Sequence, residues 1–279
     1  MGPTQRGGAG TWPPTDQHPD ARSERLPKSV YFASDIHLGG GSSAADARRR
    51  EQCFVAWLDR VAADAEAIVL LGDIFDFWFE YRRVVPKGFT RTLGKLSELT
   101  DRGIRICFFA GNHDQWIGDY LRTECGLELY TDPQCLTFND VHLFLAHGHH
   151  MGVGREPRLL NRIFRSRLLR WLFRTFVPHN LAMRFGLWWS RKSRLAHDRR
   201  GPADPAVTDP LIGFARSYAA AHPQQPVDHF LFGHMHVARD FRDGALHTLH
   251  LGAWTANCGS YARLDASGAL TLETFDFDL

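Results

Sequence analysis

Short apolar runs, each closing on a polar cluster, alternate along the first half of the chain with stretches of helical period. Ser29 to Ser34 is the first run, bounded by Pro27 and by the glycines at 39 to 41, and it predicts a buried strand. From Ala44 to Ala63, Phe54, Trp57, Leu58 and Val61 recur at helical spacing with charges opposite, which predicts an amphipathic helix. Ala67 to Leu71 predicts a second strand. A second helix carries Phe89, Leu93, Leu96 and Leu99 as its stripe, and Ile104 to Ala110 predicts a third strand. Such a β-α-β-α-β series implies parallel strands with their functional groups at the carboxyl ends. A short helix is expected from Trp116 to about Cys125.

Beyond that helix the pattern changes. Cys135 to Phe138 and Val141 to Ala146 flank Asn139-Asp140, a dipeptide suited to a hairpin turn. Asp228 to Phe232 is a further apolar strand. Leu246 to Leu251, Ser260 to Leu264 and Leu270 to Phe275 read as antiparallel strands, with turns at Asp243-Gly244 and Ser267-Gly268. The expected fold class is α/β, a layered sandwich whose α/β half and β-rich half meet over one site.

Between the halves, Val153 to Arg200 is unlike its surroundings. Thirteen arginines and lysines face only Glu156 and Asp198, and they interleave with Leu, Phe and Trp on both sides of Pro178. This pattern predicts two basic amphipathic helices inserted into the sandwich. Basic side chains suit phosphates while the apolar ones suit acyl chains or a membrane surface. Nucleic-acid contact is disfavoured, because the whole chain carries a net charge of only +2 and no recognised motif.

At 279 residues the chain is expected to be one large domain, 28–279, with 153–200 as a helical insert or cap. Residues 1–27 are rich in Gly, Pro and charge and are expected to form a disordered tail. The five scattered cysteines read as reduced thiols, and no run approaches the roughly 18 to 20 apolar residues of a membrane span. A soluble cytosolic protein is the resulting expectation, with contact to a membrane surface left open, as is oligomeric state.

The polar clusters at the strand ends carry the chemistry. They are Asp35 and His37, Gly72-Asp73, Gly111-Asn112-His113-Asp114, His147-Gly148-His149, and Gly233-His234-Met235-His236. Read as extended chain, Asp35 and His37 point to one side and converge. Two divalent ions need a bridging carboxylate with mixed oxygen and nitrogen ligands. Asp73 is the expected bridge, with Asp35, His37 and His236 on one side and Asn112, His147 and His234 on the other. Such a thiolate-free set favours Mn²⁺, with Fe²⁺ or Zn²⁺ as alternatives. A bridging water of lowered pKa would then attack phosphorus, and His113 is placed to donate a proton or a hydrogen bond to the phosphate or the leaving group. Asp114 is expected to brace its neighbours, and Asp76 to stand behind a ligand or cap a helix. His142, His247 and His250 read as core or surface residues.

In this order the five clusters resemble the signature of the calcineurin-like metallophosphoesterases. Within that superfamily, Ser34 to Leu38, Gly72 to Trp78 and the basic insert resemble the UDP-2,3-diacylglucosamine diphosphatase family. The resemblance implies a four-layer α/β/β/α sandwich and a metal-dependent hydrolase. Its nucleotide-linked lipid substrate, UDP-2,3-diacylglucosamine, would be cut at the pyrophosphate to UMP and 2,3-diacylglucosamine 1-phosphate, with the insert capping the acyl chains. From the residues alone, Trp78 is expected to line a substrate cleft or to pack under the site, Arg82 and Arg83 to meet phosphate or uracil or to form a solvated face, and His149 to meet a phosphate or to be an exposed loop histidine. At positions 113 and 149 this chain has His where the best-known branch has Arg and Asp. The alternatives are a metallophosphoesterase for another nucleotide or phosphodiester, and a non-catalytic metal-binding scaffold, which would have shed ligands that this chain retains.

Overall fold

A computed structural model describes residues 28–151, 166–198 and 209–277. The expected tail, 1–27, and residues 153–165 and 199–200 of the insert lie outside the described residues. Two sheets are stacked between helices. One has the order β11-β10-β1-β2-β3-β4 and the other β5-β6-β7-β9-β8. The first sheet is built from β1 (Ser29–Ala33), β2 (Ala65–Leu70), β3 (Arg105–Phe109), β4 (Glu128–Tyr130), β10 (Cys258–Leu264) and β11 (Leu270–Asp276). The second holds β5 (Gln134–Phe138), β6 (Val141–Ala146), β7 (His229–Phe232), β8 (Arg239–Asp243) and β9 (Leu246–His250).

Strand periodicity sorts the apolar residues into layers. Val30 and Phe32 of β1, with Ala67 and Val69 of β2, face Leu143, Leu145, Leu231 and Leu249 across the seam between sheets. The alternate residues, Tyr31, Ala33, Ile68 and Leu70, face outward onto α1 (Ala44–Val61) and α2 (Thr90–Asp101). On the far side, Phe144, Phe230 and Phe232 meet Leu211 and Ala215 of α6 (Pro210–Ala221). The layers therefore run α/β/β/α.

α1 starts at Ser43, whose hydroxyl accepts from the Asp46 amide at 3.1 Å, and it buries all four residues of its expected stripe. Trp57 lies fully buried among Phe54, Trp254 and Tyr261, with ring centroids 5.4 to 5.7 Å away. Truncating it opens a large cavity, so Trp57→Ala is expected to cost about 3–5 kcal/mol. Denaturant unfolding reads this directly, and a loss under about 1 kcal/mol would show that the four rings do not act as one core.

Asn139 and Asp140 adopt positive φ of 48° and 60°, the backbone of a tight hairpin between β5 and β6. Two expectations need correction. The helix expected from Trp116 is only the single turn α3 (Tyr120–Thr123), because Trp116 is held in a β-bridge to Phe79. β9 is antiparallel to β8 but parallel to β7. β10 is antiparallel as expected, to both β11 and β1.

The insert contributes α4 (Arg167–Phe176) and α5 (His179–Asp198), parted at Pro178. Among the described residues, no helix is long and apolar enough to cross a membrane. All five cysteines are unpaired.

Candidate metal centre

The site is made by the turns that leave β1, β2, β3, β6 and β7 at their carboxyl ends. Backbone conformation sets these turns apart. Asp35, His37, Asp73, His234 and His236 all have φ between 50° and 69°, the left-handed region that side chains normally avoid. Asp35 and His37 therefore do not converge through an extended chain. They converge because two left-handed residues fold the loop after β1 back on itself. That loop is laced to the loop after β2, with the Asp35 amide donating to Gly72 O (3.1 Å) and the His37 amide to Asp73 O (3.0 Å). Gly72 has φ +86°, and a methyl group there would sit 2.7 to 2.8 Å from Gly111 and His147 Nδ1. A methyl on Gly111 would overlap the Asp73 carboxylate. Both positions need glycine to let the loops touch.

Ligand-type atoms of Asp35, His37, Asp73 and His236 lie within 4.8 Å of one another. His236 Nε2 is 3.3 Å from Asp35 Oδ1 and 3.1 Å from His37 Nε2. On the other side of Asp73, its Oδ2 is 3.3 Å from His147 Nε2, which is itself 3.2 Å from Asn112 Oδ1. The His234 ring centroid is 5.2 Å from that of His147, and its amide donates to Asp35 Oδ2 at 2.9 Å. All seven residues expected to hold ions thus converge around the Asp73 carboxylate.

Charge is packed densely here. Burial opposes ionisation of Asp35, but His236 and His147 outweigh it and hold the carboxyl at about 2. Asp73 is held well below the usual carboxylate range, since His147 and His113 likewise overcome burial. Burial disfavours the charged form of His147, yet Asp73 raises its pKa to about 10. His147 Nδ1 lies 2.8 Å from Leu71 O, an acceptor only, so Nδ1 carries the proton and Nε2 presents its lone pair to the site once neutral. Asp35 Oδ1 is buried and makes no well-formed hydrogen bond. A buried carboxylate oxygen left over among imidazole nitrogens, with no thiolate near, fits divalent cations.

Residues 28–238, most of the chain, match the family described as calcineurin-like phosphoesterase. The chain belongs to that family. A UDP-2,3-diacylglucosamine hydrolase of Porphyromonas gingivalis is 39% identical over 263 residues, covering 88% of this chain and 97% of its own. A protein of the same description from Haemophilus influenzae is 27% identical over 246 residues, covering 86% and 97%. Among solved structures, Yfce, a phosphoesterase from E. coli, covers 89% of this chain and 100% of its own at 16% identity and a TM-score of 0.39, too loose a likeness to bear on the site. The protein is a hydrolase, and the cluster around Asp73 is where a phosphoesterase of this family would carry its divalent ions.

Around this phosphoesterase site the remaining carboxylates act as braces. Asp114 accepts from the amides of Gly111 (2.6 Å), Ile74 (2.9 Å) and Asp73 (3.3 Å), tying the turns after β2 and β3 together. Burial and the neighbouring Asp73 carboxylate push its pKa up to about 7. Asp76 caps no helix; its Oδ1 stands 3.6 Å behind His37 Nδ1. His113 turns Nε2 toward Asp73 Oδ2 at 3.8 Å, while its Nδ1 is 3.0 Å from both Asp76 O and Ser190 Oγ.

Ser190 was not expected, since nothing in its helical pattern marks it. It comes from α5, whose insert sits against the site's aromatic run. Phe173 of α4 packs on Phe79 and Trp116 with centroids 5.1 Å away, and Tyr81 Oη donates to Val177 O at 2.8 Å.

For Trp78 the cleft reading is corrected. It is fully buried, tilted against Phe75 with ring centroids 4.4 Å apart, and its indole donates to Glu80 Oε1 at 2.9 Å, so it packs beneath the site and not in a cleft. Arg82 and Arg83 stand exposed on the loop after Tyr81. His149 is buried 5.3 Å from the His147 ring, with both ring nitrogens lacking a hydrogen-bond partner among the described residues. Burial and the imidazoles of His147, His150 and His234 push its pKa well below the usual histidine value, so it stays neutral.

His247 and His250 serve structure. His247 Nε2 meets Asp240 Oδ1 at 2.9 Å, and His250 is buried 3.5 Å from Asp209, the residue that caps α6.

Proposed function

We propose that the protein hydrolyses the pyrophosphate of a nucleotide-linked lipid, UDP-2,3-diacylglucosamine, giving UMP and 2,3-diacylglucosamine 1-phosphate, with two Mn²⁺ ions. Asp35, His37, Asp73 and His236 would hold one ion, and Asp73, Asn112, His147 and His234 the other. When bound, such a pair supplies an activated water and positive charge for an in-line displacement at phosphorus. The chain's own groups do the rest. Asp73 sets the spacing of the two halves, and the carboxylate of Asp76 orients His37 from behind. His113 is the proton donor. Since its Nδ1 proton is engaged by a carbonyl that can only accept, a proton released to the leaving group must come from Nε2, which lies 3.8 Å from Asp73 Oδ2. Arg82, Arg83 and His149 are proposed to meet the phosphates or the nucleoside.

The observation that carries the lipid part of this reading is the outer face of the insert. Leu168, Trp171, Phe176, Leu181, Phe185 and Trp188 are exposed, Phe176 by 71%, on helices whose inner side is docked beside the site. An apolar patch of this kind fits acyl chains or a membrane surface. The 39% identity to a protein described as a UDP-2,3-diacylglucosamine hydrolase, over nearly all of both chains, supports the same substrate.

The test is Mn²⁺-dependent release of UMP from UDP-2,3-diacylglucosamine by the purified full-length chain, with and without Trp171→Ser and Phe176→Ser. Release that vanishes with chelator, and a KM raised about tenfold or more by the two substitutions, is expected; each buried aromatic side chain contributes on the order of 1.5–3 kcal/mol. No release, with a small phosphodiester still cleaved, would discard the lipid substrate and leave a phosphoesterase of other specificity.

A further inference from the structure

Ser190 is a point where, among the described residues, the insert reaches the chemistry of the core. It is buried, its hydroxyl donates to Asp76 Oδ1 at 2.7 Å, and its oxygen lies 3.0 Å from His113 Nδ1. The proton inventory has a single solution. Asp76 O can only accept, so His113 Nδ1 must carry a proton, and that proton is shared between Asp76 O and Ser190 Oγ. The serine's only proton then goes to the Asp76 carboxylate. His113 is thus gripped at Nδ1 from two sides, one fixed in the β2 loop and the other carried on α5.

One turn earlier, Gly186 lets this happen. A methyl group there would overlap the Phe77 ring, so only glycine allows α5 to settle on the loop that presents Asp76. Positions 186 and 190 share a helix face, and seating the first brings the second to His113.

We propose that Ser190 is a positioning residue for His113, so that the proton donor is aligned only while α5 is seated and turnover in the core is coupled to docking of the insert. This inference rests on His113 acting in phosphoester hydrolysis, and not on the lipid being the substrate. A hydroxyl that touched only a lipid would matter only for lipid substrates, whereas one that holds His113 matters for every substrate whose leaving group needs a proton.

The test uses the Mn²⁺-loaded full chain and diphenyl phosphate, a small diester without acyl chains whose phenoxide needs protonation on departure. Ser190→Ala is expected to lower kcat about tenfold, with KM, bound manganese and melting temperature unchanged, the size typical of losing a partner that orients a reactive group. Ser190→Thr, which keeps the hydroxyl, should retain most of the rate. Gly186→Ala, which leaves the hydroxyl in place but lifts the helix, should reproduce the loss and serves as the readout if Ser190→Ala does not fold. In a His113→Ala background, Ser190→Ala should cost nothing further, because its effect runs through that ring. The proposal is overturned if Ser190→Ala leaves kcat intact, or if it costs the same factor with His113 already gone. A wild-type chain inert toward the diester but active on the acylated nucleotide would also overturn it, and would leave the lipid reading standing.

Discussion

Asp73→Ala is expected to remove both bound ions as a pair and, with them, turnover. Asp73 is the one carboxylate that faces both halves of the cluster: it groups with Asp35, His37 and His236 on one side and lies 3.3 Å from His147 on the other. Its Oδ1 also accepts from the His113 amide at 2.8 Å, so the substitution leaves that buried donor unpaired as well. A fall in kcat/KM of at least about 10³-fold is expected, equivalent to roughly 4 kcal/mol of lost transition-state stabilisation. Metal analysis of the dialysed protein should find at most one manganese per chain. The three apolar layers do not depend on Asp73, so circular dichroism should still report a folded protein. Two ions retained, with a rate near that of the wild type, would end the assignment of Asp73 as the bridge.

His113→Ala should separate chemistry from metal binding. Its ring is outside the group of Asp35, His37, Asp73 and His236 proposed for one ion; it groups instead with His37 and Asp76, where its Nδ1 is engaged by Asp76 O and Ser190 Oγ, and its Nε2 approaches Asp73 no nearer than 3.8 Å. Ions should therefore stay while kcat falls by about 10² to 10⁴, the range for losing a proton donor. The loss should grow with the basicity of the leaving group, being larger for phenyl than for p-nitrophenyl esters. An equal loss for both would assign His113 to holding the phosphoryl group instead, and loss of metal would refute both roles.

Much of this was legible because the local signals and the tertiary structure agree. β1, β2 and β3 are apolar runs between breakers, and each closes on a residue of the site; Asn139-Asp140 formed the hairpin its composition suits. Most of what escaped had no such signal. β8, Arg239–Asp243, carries four charges in five residues and is a strand only because β9 pairs with it at the sheet edge. β4 has three residues, too few for a period. α6 did have a signal, since Asp209-Pro210 is a helix start whose carboxylate accepts from Leu211 and Ile212, but its stripe is broken by exposed Gly213 and polar neighbours. Within the site, residue types were readable and backbone shape was not. That Asp35 and His37 meet through left-handed turns, or that a serine from the insert reaches His113 from 77 positions away, follows from packing between segments distant in sequence.

The order in which the strands join has a consequence for how the protein is made. β1 lies between β2 and β10, and β10 begins only at Cys258, after every residue of the site has been synthesised. A nascent chain that has emerged as far as His236 carries all seven side chains. Yet one edge of β1 is still bare, Ala262 and Leu264 are missing from the seam, and the Asp35 carbonyl waits for the Trp254 amide. Translation runs from the amino end, so the turn that opens the catalytic centre is the first to be made and among the last to be locked. A chain that stops short of β10 leaves β1 paired with β2 alone, an apolar strand at the sheet's edge, the kind of edge that recruits other chains.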